Sequence, residues 1–439
     1  MHFTIVSLFP EFFASPLHTA LLGRAEKSGL LSFSFVNPRD FAPDKHRTVD
    51  DRPYGGGPGM LMQLEPLVRA LRSAGGTSGT RCARGHGGRG PVLVPSPGAQ
   101  PFTQERAREL AALDEITLVC GRYEGFDKRL EELVPLEYLS CGEAVFNGGE
   151  VAALMIVEAV ARLIPGFMGK EESGNEESFS GGLLEYPQYT RPEEFEGLAV
   201  PELLRSGDHQ KIALWRRQQA LAATLRLRPE LFAQAELDEQ DAFFLRSQPR
   251  ETQGRKLYLC LAHYPVLLKS KNPGASSLTN LDIHDIARNS CAYGLGGFYV
   301  SSPLEDQTHI LQRILHYWTQ GPGARLNPDR ARALEKVQHV VHIKDAVAQI
   351  EQELGQAPLV LGTSADWQDR PVFTPHKVRK ALDSRPVLLV FGTAHGLAPE
   401  ALEACDGILR PLRFLSAYRH LSVRAAAAIY LDRILNDIH

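Results

Sequence analysis

The sequence predicts an α/β protein with two sheet-containing regions and a helical section between them. Apolar, strand-like runs alternate with helical stretches in each region, a pattern typical of mostly parallel sheets. One strand–turn–helix construction occurs twice, and such internal repetition indicates two related units. The 439 residues also exceed what one hydrophobic core usually holds, so two or three domains are expected.

Composition narrows the possible functions. Hydrophobic residues make up 43% of the chain and charged residues 23%, as in ordinary globular proteins. The net charge of −4 gives no overall sign of nucleic-acid binding, so a local basic surface must provide any such function. The six cysteines are widely spaced, which disfavours a disulfide framework or a zinc site. Neither a signal peptide nor a run of about 18 apolar residues is recognisable, so a cytoplasmic protein is expected.

The first region is predicted to hold four strands and three helices. In chain order they are strand 3–9, helix 16–29, strand 31–37, strand 91–97, helix 103–113, strand 115–120 and helix 149–163. The loop RTVDDRPYGGGPGM, residues 47–60, contains too many glycines for a helix or a strand. Residues 74–91 are rich in Gly and Arg and are predicted to be a mobile surface insertion.

The middle of the chain is predicted to be helical over 191–247, between linkers at 166–190 and 248–256. One part of it has a single acid, Asp208, and six cations, which are Arg205, Lys211, Arg216, Arg217, Arg226 and Arg228. Such a set predicts either a phosphate-facing surface or a solvated helix face. The sequence leaves both interpretations open.

The second region repeats the construction of the first. Its strands are predicted in KLYLCLAHYP, GGFYVSSP, PLVLGTSA and PVLLVFGTAHG, followed by a closing helix over 421–435. In each region one strand runs into a GxxxG turn, Gly121–Gly125 or Gly392–Gly396, and an earlier strand ends in a Ser-containing turn. Because α/β folds bind ligands at the carboxyl ends of their strands, these turns could surround an adenine and a ribose. The GxGxxG and P-loop motifs are absent, which disfavours a dinucleotide-dependent enzyme.

Two resemblances follow from these motifs. The first 250 residues resemble the bacterial tRNA (guanine-N1)-methyltransferases, the TrmD family of the SPOUT class. The matching stretches are SLFPEFF, NPRDF, HRTVDDRPYGGGPGM, LVCGRYEGFD, NGGE, RLIPG, SFSGGLLEYPQYTRP and VPELLRSGDH. Residues 257–439 resemble a separate SPOUT-type family of proposed RNA methyltransferases, through HYPVLLKSKNP, SLTNLDIHDIARNSCAYG, YVSSPLEDQ, LGTSA, FGTAHGL and HLSVRAAAAIYLDR.

The resemblance to the TrmD family implies a trefoil-knotted α/β fold that uses S-adenosylmethionine (SAM) as methyl donor. The implied acceptor is N1 of the tRNA guanosine immediately 3′ of the anticodon, and the implied assembly is a homodimer with shared active sites. The expected domains are a SAM-binding knotted catalytic domain at 1–165, a small helical tRNA-binding domain at 191–247 and a second knotted SPOUT-like domain at 257–439.

The resemblance also assigns cofactor-binding residues. In the first domain they are Ser96, Pro97, Gly121, Tyr123, Glu124, Gly125, Cys141, Gly142, Glu143, Ala144, Val145, Phe146, Gly148 and Gly149. In the second domain they are Thr363, Ser364, Gly392, Gly396, Leu421, Ser422 and Val423, and Arg424 is expected to face phosphate.

The catalytic candidates are Glu177, Arg162 and Glu124. Guanine N1 must lose a proton as the methyl group arrives, which requires a carboxylate base, and charge that builds toward O6 requires a fixed cation. Arg162 matches the family's arginine. The family's base is an aspartate in TEDSF, whereas this chain has Glu177 in NEESF. The extra methylene moves the carboxylate by about 1 Å, which can lower a rate about a hundredfold. A slow or altered enzyme is therefore the alternative to Glu177 acting as the base.

RNA contacts are expected from Asp50, Asp51, Arg52 and Gly59, because carboxylates accept hydrogen bonds from guanine and bare glycine admits an unstacked base. Arg216 and Arg217 are expected to contact tRNA phosphates. The alternative for the glycine-rich loop is a role in packing alone. For the whole chain, the competing class is an RNA-binding or dimerisation protein with degenerate methyltransferase sites.

The second domain has no compelling acid–base pair in its sequence, so a second methyltransferase and an RNA-docking module both stay open. The His284–Asp285 pair could act as an acid–base pair, but a helix N-cap with a hydrogen-bonded histidine is favoured. His339 and His342 lack a third ligand, so no metal site is expected.

Overall fold

Two compact units make up the protein, whose computed structural model describes residues 1–75, 90–168, 177–248, 253–366 and 368–436. The first unit spans Met1–Asp238 and the second spans Glu239–His439. The predicted insertion at 74–91 lies outside the described residues except at its ends. No helix in the described ranges is long and apolar enough to cross a membrane.

The first unit is built on a parallel sheet. Its strands are β1 (His2–Val6), β2 (Ser32–Val36), β3 (Asp50–Asp51), β4 (Leu61–Met62), β5 (Val92–Pro101), β6 (Glu115–Val119), β7 (Leu136–Ser140), β8 (Glu194–Phe195) and β9 (Leu198–Ala199). Its helices are α1 (Ala20–Lys27), α2 (Leu64–Ser73), α3 (Gln104–Ala111), α4 (Leu130–Leu133), α5 (Glu150–Ala161), α6 (Glu202–Arg205) and α7 (His209–Leu227). Five strands pair in parallel in the order β2–β1–β6–β5–β7, and β3–β4 and β8–β9 are short antiparallel pairs.

This sheet separates two hydrophobic cores because successive side chains of a strand point to opposite faces. Phe3 and Ile5 of β1 belong to the core that contains residues of α1, α3 and α5. Val6 and Leu8 belong to the opposite core, which contains residues of α2. α5 is almost entirely apolar and buries Ile156 and other side chains against the first of these cores, as expected for a central helix.

The second unit also contains a parallel sheet. Its strands are β10 (Leu257–Ala262), β11 (Val266–Leu267), β12 (Pro273–Gly274), β13 (Gly297–Ser301), β14 (Val337–Val340), β15 (Leu359–Gly362), β16 (Val372–Phe373), β17 (Val387–Gly392) and β18 (Gly407–Leu409). Its helices are α8 (Glu239–Ser247), α9 (Asn280–Ala292), α10 (Glu305–Thr319), α11 (Pro322–Leu326), α12 (Pro328–Leu334), α13 (Ile343–Leu354), α14 (Pro375–Leu382), α15 (Pro399–Glu403) and α16 (Val423–Leu435). Seven strands pair in the order β14–β13–β10–β17–β15–β18–β16, and β11–β12 is an antiparallel pair.

The predicted mixed α/β architecture with parallel sheets is confirmed in both units. The predicted strand 91–97 extends to Pro101, because residues between Pro95 and Gln100 bulge out of the pairing with β7. Helix 16–29 begins as a separate 3-10 turn, Pro16–His18, ahead of α1. The section 191–247, predicted as helical, also contains the β8–β9 hairpin, whose strands of two residues are too short to leave a periodic signal.

A single added methyl group tests how closely the first unit's backbone segments approach each other. A Cβ atom at Gly149 would lie 2.7 Å from Cys120 Cα and 3.0 Å from Gly121 N. We expect Gly149→Ala to lower the free energy of unfolding of the first unit by about 1–3 kcal/mol, as overpacking does. Gly98→Ala is the matched control, because no atom lies within 4 Å of that position. Differential scanning calorimetry measures both variants, and equal melting temperatures would contradict the close approach.

Candidate active site

Three loops of the first unit lie at one edge of its sheet. The turn 121–125 follows β6, residues 96–99 bulge from β5, and the loop 141–149 follows β7. These strands are neighbours and run in parallel, so their carboxyl ends meet at the same edge. Residues 142–147 are exposed although β7 ends in buried residues. This is where open α/β sheets bind ligands.

Backbone contacts join two of these loops. The Gly149 N–H donates to the Gly121 carbonyl at 2.9 Å, and Arg122 forms an antiparallel bridge with Gly148. The approach is possible because neither glycine carries a Cβ; one at Gly148 would lie 2.4 Å from Arg122 Nε. The predicted cofactor residues from the two loops are therefore brought together.

A buried ion pair holds the same junction and was not assigned from the sequence. The Glu150 side chain is only 2% exposed, and Arg122 Nε lies 3.0 Å from its Oε2. Ser7 Oγ donates to Glu150 Oε1 at 2.8 Å, and the Arg122 guanidinium stacks 4.6 Å from the Phe9 ring centre. The glutamate of NGGE could have been singled out, because a charged residue that opens an apolar helix needs a partner.

Cys141, which was predicted to line the cofactor pocket, remains a protonated thiol. Burial raises the pKa of Cys141, whose Sγ lies 3.8 Å from the Ala152 carbonyl oxygen. The Cys120 thiol, at the end of β6, also has its pKa raised, by burial and then by the charge of Glu150. Both therefore behave as small apolar residues and not as nucleophiles.

The glycine-rich loop 47–60 packs against the 121–125 turn. The Glu124 N–H donates to the Met60 carbonyl at 3.0 Å, and a Cβ at Gly59 would lie 2.5 Å from Glu124 Cγ. Tyr123 Oη donates to Asp50 Oδ1 at 3.3 Å. Asp51 and Arg52 remain exposed in this loop. The loop's predicted RNA-binding residues thus lie beside the predicted cofactor turn.

The two main catalytic candidates are in direct contact. Arg162 caps the carboxyl end of α5, and its Nη2 donates to Glu177 Oε1 at 2.5 Å. The Glu177 side chain is 24% exposed and that of Arg162 is 39% exposed, so both remain accessible. The extra methylene of Glu177 therefore does not prevent its carboxylate from reaching the arginine.

Most of the six cations predicted to face phosphate already have partners. Arg205 pairs with Glu193, Lys211 with Asp208 and Arg228 with Glu230. Arg217 donates to the Glu236 carbonyl at 2.8 Å, and the Arg216 guanidinium lies 4.9 Å from the Tyr186 ring centre. The ratio of six cations to one acid was therefore wrong as a measure of local charge. It covers residues 205–228 only, and Glu193 and Glu230 lie outside them.

The second unit has a well-formed cavity of about 840 Å³ at the carboxyl edge of its sheet. All of its predicted cofactor-binding residues line this cavity: Thr363, Ser364, Gly392, Gly396, Leu421, Ser422 and Val423. Its volume lies within the range of about 300–1,000 Å³ usual for small-ligand sites. The cavity also contains Asp282 and Arg424, which form an ion pair.

The turn after β17 needs its first glycine. A Cβ at Gly392 would lie 2.3 Å from Leu397 N and 2.6 Å from Gly396 C, so the 392–396 turn could not close. Thr363 is fixed at the adjacent strand end, where its backbone N–H and its hydroxyl both donate to the Val390 carbonyl at 3.0 Å. Ser422 Oγ accepts from the Ala425 N–H and caps α16. These contacts fix the strand-end part of the cavity wall.

A buried histidine stands behind this wall. His263 Nδ1 lies 3.0 Å from Ser276 Oγ, which lies 2.5 Å from Thr393 Oγ1, and Thr393 Oγ1 donates to the Ala262 carbonyl at 3.0 Å. Since the threonine proton is used on Ala262, the serine donates to the threonine and His263 Nδ1 carries the proton. His263 Nε2 is buried without a hydrogen-bond partner among the described residues. Burial lowers the pKa of His263 to about 4, so the ring is neutral.

One expectation for the second unit needs correction, and another stays a prediction. Arg424, expected to face phosphate, lies 3.0 Å from Asp282 Oδ1 and 3.4 Å from Asp285 Oδ2, and its side chain is 38% exposed. Its contact with phosphate stays a prediction. His284 is not a hydrogen-bonded cap, because Thr279 is the N-cap of α9 and His284 Nδ1 is buried without a partner among the described residues. Its ring instead packs edge-on against Trp318, since apolar burial outweighs the lost hydrogen bond. Burial lowers the pKa of His284 as well.

His339 and His342 have structural roles. His339 Nε2 contacts Thr308 Oγ1 and the Ser302 carbonyl, both at 3.0 Å. His342 is the N-cap of α13 in a capping box with Asp345. Within the described ranges, no group of three or more His, Cys, Asp or Glu side chains could hold a metal ion.

Comparison with known proteins gives a family match for each unit. The sequence model of the tRNA (guanine-1)-methyltransferase TrmD family matches residues 1–234. That match covers more than half of the chain. The protein belongs to this family. Residues 256–436 match a second family, described as SAM-dependent RNA methyltransferases.

Curated relatives divide into two lengths. Over the whole chain, TrmD-family relatives from Nitratidesulfovibrio vulgaris and Oleidesulfovibrio alaskensis are 57% and 56% identical, and the alignments cover all of both proteins. A relative from Pelotomaculum thermopropionicum is 47% identical over 246 residues, which is 56% of this chain and 95% of that protein. All three are named tRNA (guanine-N(1)-)-methyltransferase.

The buried environment of His263 predicts an unusual pH response. Because the pKa of this ring is lowered to about 4, we expect it to stay neutral from pH 8 down to pH 5, where an ordinary histidine, with a pKa of about 6.5, would already be protonated. NMR of a chain labelled at histidine Cε1 measures this, with His263→Gln to assign the resonance. A midpoint above pH 6 would show that the imidazole is hydrated and that the hydrogen-bond chain to Thr393 is open.

Proposed function

We propose that the first unit transfers a methyl group from SAM to N1 of the tRNA guanosine immediately 3′ of the anticodon. The chain is a SAM-dependent methyltransferase of tRNA guanine by its family and its full-length relatives. The choice of N1 as acceptor atom follows the names of the relatives, and the choice of nucleotide follows the family resemblance. The observation that carries the mechanism is the 2.5 Å contact between Arg162 and Glu177.

In this mechanism Glu177 is the base and Arg162 the fixed cation. Bound SAM supplies an electrophilic methyl group. Glu177 accepts the N1 proton as the new N–C bond forms, and Arg162 stabilises the negative charge that builds toward O6. Their contact supports this assignment, because it places the proton acceptor and the fixed cation side by side, where one guanine could reach both. Arg162 has further N–H donors for the guanine, since one nitrogen serves Glu177.

The cofactor pocket is proposed to lie at the junction of the three strand-end loops. Ser96, Pro97 and the 121–125 turn would contact the adenosine, and the loop 141–149 would close over it as part of a trefoil knot. The junction fits the cofactor chemically, because glycines at 121, 148 and 149 leave backbone N–H and C=O groups bare at the sheet edge. Glu124, within the 121–125 turn, remains the third catalytic candidate, and its side chain lies beside Gly59.

The RNA surface is proposed to include the loop 47–60 and the helical section. Asp50 and Asp51 would accept hydrogen bonds from the guanine, with Arg52 and Gly59 beside them. Arg216 and Arg217 would reach phosphate from α7 by extending beyond their present aromatic and carbonyl partners. The proposed domains are those expected from the sequence, 1–165, 191–247 and 257–439, joined by linkers at 166–190 and 248–256.

A homodimer with shared active sites is proposed for the same unit. Large apolar side chains are exposed beside the candidate pocket, among them Val145, Phe146, Val151 and Met155. Contiguous exposed apolar residues typically mark an interface. A second copy that covers them would complete the pocket, and the protein is proposed to act on tRNA in the cytoplasm.

The second unit is proposed to be a second SAM-dependent RNA methyltransferase domain. Its match to that family and the 840 Å³ cavity at its strand ends support this function over a docking module. Each molecule would then carry out two methyl-transfer reactions, both with SAM as the methyl donor.

The role of Glu177 is tested with conservative variants. We expect Glu177→Ala to lower methyl transfer from labelled SAM to an unmodified tRNA transcript at least about a hundredfold, and Glu177→Asp to retain activity within about tenfold. Glu105→Ala, at an exposed glutamate in the first turn of α3, is the matched control and should leave the rate unchanged. A transcript with adenosine in place of the guanosine should accept no label. An unimpaired Glu177→Ala enzyme would sink the base assignment.

A further inference from the structure

One of the carboxylates that line the cavity of the second unit comes from the first turn of a helix. Asp282 lies in the first turn of α9, lines the cavity and is only 12% exposed. Its Oδ1 lies 3.0 Å from Nη1 of Arg424, in the first turn of α16. The two helices pack against each other, so the pair joins two rigid elements at the cavity wall.

Arg424 does not depend on Asp282 for charge neutralisation. Asp285 Oδ2 lies 3.4 Å from Arg424 Nε, and its side chain is 47% exposed. Two carboxylates thus share one guanidinium. Asp282 can turn toward a ligand, or take up a proton, while Arg424 stays paired with Asp285. A purely structural pair would need only one of these acids.

A groove adjoins the cavity at Arg424. It lies between α9 and α16 and is lined by Asp285, Arg288, Asn289, Ser422 and Arg424, among others. Ser422 and Arg424 line both spaces, whereas Asp282 lines the cavity alone. Arg288 and Asn289 give the groove donors suited to phosphate and to nucleotide bases.

We propose that Asp282 is the proton acceptor and Arg424 the charge-stabilising partner of a second methyl-transfer reaction, whose acceptor is an RNA nucleotide that enters through the α9–α16 groove. The inference rests on the proposed function of the second unit and adds its catalytic residues and the side from which substrate enters. In the first unit, Glu177 and Arg162 form a pair of the same chemistry.

The reaction balances with these groups. Bound SAM supplies the methyl group and leaves as the neutral thioether. Asp282 takes the proton from an N–H or O–H of the nucleotide as the bond to the methyl carbon forms and the carbon–sulfur bond breaks. Arg424 offsets the negative charge on the nucleotide during transfer. The positive charge of the sulfonium is lost as the proton reaches the carboxylate, so the total charge of the site is conserved.

The surroundings favour catalysis over a structural role. Asp282 is only 12% exposed, so its carboxylate is largely shielded from bulk water, whereas Arg424 is 38% exposed and stays within reach of a substrate. The neighbouring His263 is neutral, because burial holds its pKa near 4, and it does not compete with Arg424 for the carboxylate. Three charged side chains of α9 lie near Arg424, namely Asp282, Asp285 and Arg288.

The test uses the full chain with the first site silenced by Glu177→Ala. Total RNA is taken from cells whose gene is truncated before residue 257, so that any acceptor of the second unit is unmethylated. We expect the Glu177→Ala chain to transfer labelled methyl groups to this RNA, and ribonuclease to release the label. Adding Asp282→Asn should slow transfer at least about a hundredfold. Asp306→Asn, an exposed aspartate in the first turn of α10 away from the cavity and the groove, is the matched control and should stay within about threefold.

Binding separates catalysis from folding and from the proposed function. Isothermal titration of the Glu177→Ala chain should show two molecules of SAM per chain, and Asp282→Asn should preserve that number and both affinities within about threefold. One molecule per chain would overturn the proposed function of the second unit and this inference with it. Two molecules with no transfer to RNA, or equal rates for Asp282→Asn and Asp306→Asn, would overturn the inference alone.

Discussion

The structure depends on close backbone contact where adjacent parallel strands end. In the first unit Gly149 meets Cys120 and Gly121, and in the second Gly392 meets Gly396 and Leu397, at distances that only glycine permits. Parallel pairing brings the strand ends to one edge, and the missing side chains let loops from different strands close over that edge. The bare N–H and C=O groups left there must find partners in the protein, in water or in a ligand.

At each of these junctions an arginine is paired with a carboxylate. Arg122 and Glu150 connect the 121–125 turn to the start of α5, and Arg424 and Asp282 connect α16 to α9. The carboxylates are largely buried, Glu150 at 2% and Asp282 at 12% exposure, so loss of the arginine would leave either one without its partner. The pairs therefore fix the geometry of the junctions. Arg162 and Glu177 form a pair of the same kind whose carboxylate, 24% exposed, is more available to a substrate.

Much of this organisation could be predicted from the sequence. Apolar runs such as ITLVC and VLLVF predicted the central strands, because a strand buried on both faces needs continuous apolar residues. Shared motifs predicted the residues around the second cavity, and all seven lie there. Asp282 was missed because its role depends on Arg424, 142 residues away. Glu193 and Glu230 neutralise cations of the helical section through contacts that a window of charges cannot register. The short edge strands β14 and β16 carry too few residues for a periodic signal.

The central claim is that each unit binds the same cofactor at the carboxyl edge of its parallel sheet. Hydrogen–deuterium exchange of the full chain, with and without SAM, tests this at the level of individual loops. The account predicts slower exchange at 121–125 and 142–149 in the first unit and at 392–396 and 421–425 in the second. Protection confined to one unit, or found away from these strand-end loops, would contradict it.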